Sequence, residues 1–405
     1  MSWSFPGPGS QSGYKNQNQN GTWNFNNQGG SNLGRNMNQG QNFGNPNFKN
    51  IQKQFQYHPH KLNPERLHEL KGPTDTITDI VWFKQFIACS SWDKCVYVWQ
   101  IDVSRKGFRD KSVYKDTLRS PVLSCLLMNG TIFTGDVMGN LDMINIQKKA
   151  KQNFGKHMEN PKTKGTAITS IKQINQTTVL TSSWNTRCKI WDVRSKKSKV
   201  INCPERVYCV DVCPKPSIIA ALCGWRNQHL LMYDPRNLSK PMKSKYLLKK
   251  NPDDYDSLDQ PSKNIAICPD YVVAGSIGGR IAVIGFNQKM ENTKNKKRIF
   301  HSRVFCEGMP KKNPPFRFPV NGLAVNKKNR HIGIVGSNGT YQIFDLYQRR
   351  SVVFNKTKIS CSLTKCKFDD TGNIFAFGVS YDFSRGQSSG LYNNNTHQRI
   401  LLKRV

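Results

Sequence analysis

Acidic residues are scarce in this chain. Asp and Glu together number 26 against 61 Lys and Arg, a formal net charge of +35 over 405 residues, and none precedes Glu65. A surface so short of carboxylates attracts polyanions: RNA, DNA, acidic peptides or anionic lipid. Long apolar runs are also lacking. The longest, Ile218–Cys223, is one strand, far below the roughly 20 residues of a membrane span. The start, MSWSFPGPGS, has neither the basic residues nor the apolar core of a signal peptide. None of the twelve cysteines forms a CxxC pair or a zinc-like cluster with histidine. Cys89, Cys188, Cys223 and Cys268 sit in apolar runs and read as buried strand residues of a reducing compartment. His58 and His60 lie in the polar N-terminal stretch and His157 in a lysine-rich connection. No P-loop, HExxH or GxSxG occurs, and no carboxylates are paired at an acid–base spacing. GSIGGR (275–280) is a turn between strands, without the helix a phosphate cradle needs. These absences leave a non-enzymatic binding scaffold, with no catalytic residue, cofactor or metal expected.

Asn, Gln and Gly fill residues 1–60, with scattered Trp3, Phe5, Trp23, Phe25 and Phe43. Such a segment buries too little apolar surface to offset its ordering entropy, so a disordered low-complexity tail is expected. From about Leu67 the texture changes. Val179–Arg194, VLTSSWNTRCKIWDVR, reads as a hairpin: a β-rich run, a tight polar turn and a second strand. Both strands carry apolar or small residues on both faces, so the hairpin must lie between neighbours. Its pattern recurs seven times, with middle strands ending at Ser91, Gly135, Ser183, Gly224, Ser276, Ser337 and Ser380. Their spacing of roughly 40 to 60 residues is that of a propeller blade with variable outer loops. Helical periodicity is hard to find. The expected fold is therefore all-β, a seven-bladed β-propeller over residues 65–405. A closed ring needs a latch, assigned to Glu65–Lys71 pairing near Arg399–Val405. Small residues at the ends of the middle strands admit close neighbours. By strand position Trp191 is a core residue.

Trp191-Asp192 ends its strand as Trp-Asp (WD40) repeat propellers do. CPERVYCVDV (203–212), AGSIGGRIAV (274–283), FPVNGLAV (318–325) and DDTGNIFAFGVSYDFSRG (369–386) are more specific. They resemble the Rae/Gle family of messenger-RNA export factors at nuclear pores, whose relatives include the Bub checkpoint propellers. The resemblance covers about residues 65 to 405. It implies a nuclear, pore-associated adaptor that docks an acidic–hydrophobic hairpin of an FG nucleoporin on its top face. On matching motifs, Trp92 of SSWDK, Trp184 of SSWN and Arg280 of GGR would contact that hairpin. Phe300 and Arg303, with Phe344 and Arg349, resemble a neighbouring groove, although the strand position of Phe344 is also that of a core residue. Arg forks suit carboxylates and a rim tryptophan suits an apolar anchor. As a rim residue, Arg280 is expected to tolerate Glu without loss of stability. The sequence departs from the pattern at Asp136-Val137-Met138, where a Trp-Asp turn would stand, and at Leu346, where a lysine would.

Positive charge gathers in connections. Lys148, Lys149, Lys151, Lys156, Lys162 and Lys164 fill one, and Lys294, Lys296, Lys297, Arg298, Lys311 and Lys312 fill another, near Phe300, Phe305 and Phe316. Lysines track phosphates without reading sequence and aromatics stack on bases. The second group is the expected contact for single-stranded RNA or an mRNP, weakly selective and salt-sensitive. Two alternatives use the same fold. One is a spindle-checkpoint adaptor of the Bub type. The other is a substrate receptor of a cullin ubiquitin ligase, suggested by the WDVR box at 191–194.

Overall fold

The computed structural model describes residues 67–405 except 106, 159–164, 215–216, 227, 249–257, 286–298, 304–305, 308–315, 327, 346–349, 355–358 and 385–397, so the expected tail lies outside it. Within these limits every regular element is a strand. The strands form seven four-stranded antiparallel sheets and one two-stranded pair, Cys306–Glu307 with Phe316–Arg317. Six sheets are consecutive meanders, whose strands we letter a to d. Blade 1 runs Ile77–Phe83, Phe86–Ser91, Cys95–Ser104, Gly107–Thr117. Blade 2 runs Val122–Met128, Thr131–Asp136, Asn140–Asn145, Ala150–Lys156. Blade 3 runs Ile168–Asn175, Thr178–Ser183, Arg187–Asp192, Ser198–Asn202. Blade 4 runs Val207–Cys213, Ile218–Cys223, His229–Tyr233, Lys243–Tyr246. Blade 5 runs Ser262–Ile267, Tyr271–Ser276, Arg280–Gly285, Ile299–Arg303. Blade 6 runs Val320–Val325, Ile332–Gly336, Tyr341–Asp345, Arg350–Phe354.

Blade 7 takes Leu363–Phe368, Ile374–Val379 and Arg399–Arg404 from the C-terminal part and its fourth strand, His68–Lys71, from the beginning of the described chain. The pairing runs His68↔Leu402 to Lys71↔Arg399, the latch read from the sequence. Leu70, Ile400 and Leu402 are wholly buried in it. The long outer hairpin of blade 1 braces the seam. Asp110 lies 2.8 Å from His68 Nε2, and the Arg404 guanidinium sits 5.3 Å over the Phe108 ring.

Burial follows position in the blade. The b strands IIAALC, YVVAGS and IFAFGV are buried at every residue, as strands covered on both faces must be. The d strands of blades 1 and 3 are mostly exposed. Small residues let blades approach. A Cβ on Gly135 would stand 2.5 Å from Ile168 of blade 3, and one on Gly275 2.6 Å from Val320 of blade 6. Side chains of the a strands stitch each blade to the next. Thr78 Oγ1 donates to Val122 O (2.6 Å), Thr169 Oγ1 to Val207 O (3.0 Å) and Asn264 Nδ2 to Val320 O (3.1 Å). Each bond links the start of one a strand to the start of the next, so these blades share one orientation. Their b–c turns therefore gather at one end of the ring, and their a–b and c–d turns at the other. Between the ends, the inner strands line an axial channel containing Asp79, Lys172 and Lys365. Burial opposes the charge on Lys172, but Asp79 and Asp211 outweigh it and hold its ammonium above the ordinary lysine range.

Blade 3 holds a buried polar chain. Trp191 Nε1 donates to Thr181 Oγ1 (2.8 Å), which hydrogen-bonds His157 Nε2 (2.7 Å). Trp191 is core, as its strand position suggested. His157 is wholly buried in blade packing rather than exposed in a lysine loop. Burial first, and the Lys189 charge second, push its pKa down to about 3, so the ring is neutral.

Candidate partner-docking surface

At the b–c end, five of the seven turns expose a large apolar side chain: Trp92 (44%), Met138 (42%), Trp184 (37%), Trp225 (39%) and Phe383 (43%). The turn chemistry explains why. In blade 1 the Asp93 carboxylate is drawn inward by Thr74 N (2.9 Å), Cys95 N (2.8 Å) and the Tyr97 hydroxyl (2.8 Å), leaving Trp92 outside. In blade 2 Asp136 accepts from Met138 N (2.9 Å) and Asn140 N (2.7 Å). In blade 3 buried Asn185 donates to Met158 O (3.2 Å), with Trp184 outside. Exposed Arg119 and Arg206 lie in the d–a connections at this end, and Arg226 follows Trp225. The blade 4 turn is fixed to its neighbour by Gly224 N donating to Arg206 O (2.9 Å). Trp225 packs 5.5 Å from Tyr208, whose phenol burial holds above its ordinary range. Aromatics beside guanidinium groups form an anchor-and-fork surface for an apolar chain carrying carboxylates.

The structure divides the expected site residues. Trp92 and Trp184 share the b–c end. Arg280 reaches it as well, its backbone paired with Arg303, but its side chain is only 18% exposed and lies 3.8 Å from Asp259. Arg317 binds the same carboxylate at 2.6 Å. Arg280 is thus part of a shared ion pair rather than a rim cation without a structural role. Phe344 is corrected outright: it is 6% exposed, packed with Tyr271, Ile281 and Ile332, and lines no groove. Of Phe300 and Arg303 only the backbone is described.

Arg349, Lys294, Lys296, Lys297, Arg298, Lys311 and Lys312 lie outside the described residues. Arg194 of the WDVR box is in a c–d turn, 3.9 Å from its own Asp192. Trp225, Met138, Phe383 and the flanking arginines were missed in the sequence. Trp225 had a signal: it follows Gly224 as Trp92 follows Ser91 and Trp184 follows Ser183.

The seven four-stranded sheets make this chain a β-propeller. The family model "WD domain, G-beta repeat" matches residues 64–100. The solved "Structure of U3-55K" superposes with a TM-score of 0.64 at 14% identity, covering 84% of this chain and 100% of that one. Protein Rae1 of Drosophila melanogaster is 27% identical over 335 residues, 78% of this chain and 88% of the fly protein. The Poly(A)+ RNA export protein of Schizosaccharomyces pombe is 29% identical over 325 residues, 78% of this chain and 84% of its own. Mitotic checkpoint protein bub3 of Dictyostelium discoideum is 23% identical over 325 residues, 78% of this chain and 88% of its own. The chain is a WD40-repeat protein homologous to the messenger-RNA export factors of the Rae1/Gle2 type, with Bub3-like proteins among its relatives.

Proposed function

We propose that this protein is a non-enzymatic adaptor in messenger-RNA export at the nuclear pore. Its b–c end docks an acidic–hydrophobic hairpin of an FG nucleoporin, and its basic connections contact single-stranded RNA. The observation that carries the docking half is the recurrence of an exposed apolar anchor at equivalent turns, Trp92, Trp184 and Trp225 among them, with exposed Arg206 and Arg226 at the blade 4 turn. Exposed tryptophans recurring at equivalent turns suit a partner that buries them. The names of the relatives support the export role. Calorimetric titration of the hairpin segment into wild-type protein and into Trp92→Ala, Trp184→Ala and Trp225→Ala tests it. Tight binding lost in the variants supports docking at this end, and equal binding by all four proteins refutes it.

The bub3 relative favours a second reading, a checkpoint adaptor using the same end for a kinase peptide. Direct competition between the two peptides separates them, since the preferred partner displaces the other at the lower concentration.

A further inference from the structure

The c–d end differs from the b–c end in chemistry. Across blades 2 to 4 its turns and outer strands expose Lys148, Lys149, Lys196, Lys197, Lys199 and Lys240. Among the described residues none of these six is in an ion pair. The acids nearby are already engaged within their own turns. Asp192 accepts from Arg194 N (2.8 Å) and Ser195 N (3.1 Å), and Asp234 holds Arg236 at 2.7 Å.

Two of the turns are built alike. In blade 2 the Asn145 Oδ1 accepts from Lys148 N (2.9 Å), and in blade 3 the Asp192 Oδ1 accepts from Ser195 N, three residues on in each case. Asn145 pairs with Ala150, and Asp192 N donates to Lys197 O (2.9 Å). The residue just before that pair is Lys149 in one turn and Lys196 in the other. Their φ angles are 50° and 57°. This left-handed position favours glycine or asparagine, because a Cβ is strained there. Both blades nonetheless carry lysine. Lys196 Nζ also reaches across to Gln152 Oε1 of blade 2 (3.2 Å), which places the two cationic turns side by side.

We propose that this arc of lysines on the c–d end of blades 2 to 4 is a contact surface for the phosphate backbone of single-stranded RNA. The inference rests on the reading that the protein engages RNA, and it assigns a contact to the described c–d turns of blades 2 to 4. Lysines spread along successive blades, rather than arginines converging on one pocket, fit a linear polyanion contacted without base readout. Exposed Gln147, Gln152, Ser195 and Ser198 between them supply further donors to phosphate and sugar.

The test is fluorescence anisotropy of a labelled oligouridine of about 20 nucleotides with the full chain, titrated between about 50 and 200 mM salt. The variant is Lys149→Gly/Lys196→Gly, because glycine suits both backbone positions and a folding defect is not expected. The expected result is a roughly three- to tenfold weaker affinity, a salt slope shallower by about 1.4, or 0.7 per lost phosphate contact, and a thermal midpoint equal to or above that of wild type. A second variant, Lys294→Ser/Lys296→Ser/Lys297→Ser/Arg298→Ser, separates the two claims. If that variant loses RNA while the glycine pair binds like wild type, RNA binding stands and the arc is refuted. If wild type shows no salt-dependent binding at all, the RNA reading falls and the inference with it. Tighter binding of wild type to phosphatidylserine vesicles than to oligouridine, weakened by the glycine pair, would make the partner a membrane and overturn the proposal.

Discussion

The two ends of this ring are made by the same strands and have opposite chemistry. At the b–c end a hydrogen-bonded Asp or Asn organises each of the first three turns and leaves Trp92, Met138 or Trp184 exposed. At the c–d end Asn145 and Asp192 cap equivalent turns, and the exposed residues are lysines. A related structural device, a carboxylate or amide side chain hydrogen-bonded to the backbone, therefore underlies both surfaces. What differs is only the residue the turn leaves outside. The strands fix where a surface lies, and a few turn positions decide what it binds.

The largest effect should come from breaking the frame both ends share. Deleting 399–405 removes a whole strand and its buried Ile400, Leu401 and Leu402. Loss of cooperative thermal unfolding is expected, and both ligands should be lost together. A soluble, cooperatively melting product would contradict the ring closure. Next comes Trp191→Ala. It empties a buried site in contact with Phe154 and His157 and should cost about 3–5 kcal/mol in urea unfolding. Refolded variant protein should retain the ligand preferences of both ends.

His157 adds a pH dependence that belongs to the frame rather than to either end. Its folded pKa of about 3 lies below the ordinary value near 6.5, so folding favours the neutral ring. The resulting stability is complete above about pH 6.5 and is lost progressively as pH falls toward 3. Urea midpoints at pH 7.5 and 5 should separate less in His157→Gln than in wild type; an unchanged separation would assign the acid sensitivity elsewhere.

The ends themselves should respond to smaller changes. Trp184→Ala and Trp225→Ala remove exposed groups, so stability should move by no more than about 0.5 kcal/mol. Affinity for the acidic hairpin should fall by about 2 kcal/mol for each, measured by titration calorimetry. Arg280 and Arg226 sharpen the distinction between frame and surface. Arg280→Glu places a second carboxylate against Asp259 and should lower the thermal midpoint as well as binding. Arg226→Glu should weaken binding alone.

Much of this frame was legible in the sequence. The recurring Gly or Ser at the end of each middle strand marked the blades because neighbouring side chains occupy the space a larger residue would need, as Ile168 does beside Gly135. The latch was legible because a ring with an odd strand at each terminus has one economical closure. Surface assignments were less so. The end on which a residue lies depends on which turn it occupies, and motif matching does not read this. Phe344 was grouped with a groove because its motif lies near arginines, whereas alternation along its strand points the ring into the core. The partner of Arg280, Asp259, lies in the connection before blade 5, and nothing in local spacing pairs them. His157 looked like part of a charged loop because its burial depends on Thr181 and Trp191, in strands that follow it.

One crossed titration tests the division of labour directly. The Trp184→Ala/Trp225→Ala and Lys149→Gly/Lys196→Gly proteins are each titrated with the acidic hairpin peptide and with oligouridine. Two separate surfaces require the tryptophan variant to lose the peptide and keep the RNA, and the lysine variant to do the reverse. Parallel loss of both ligands in either variant, with the fold intact, would contradict it.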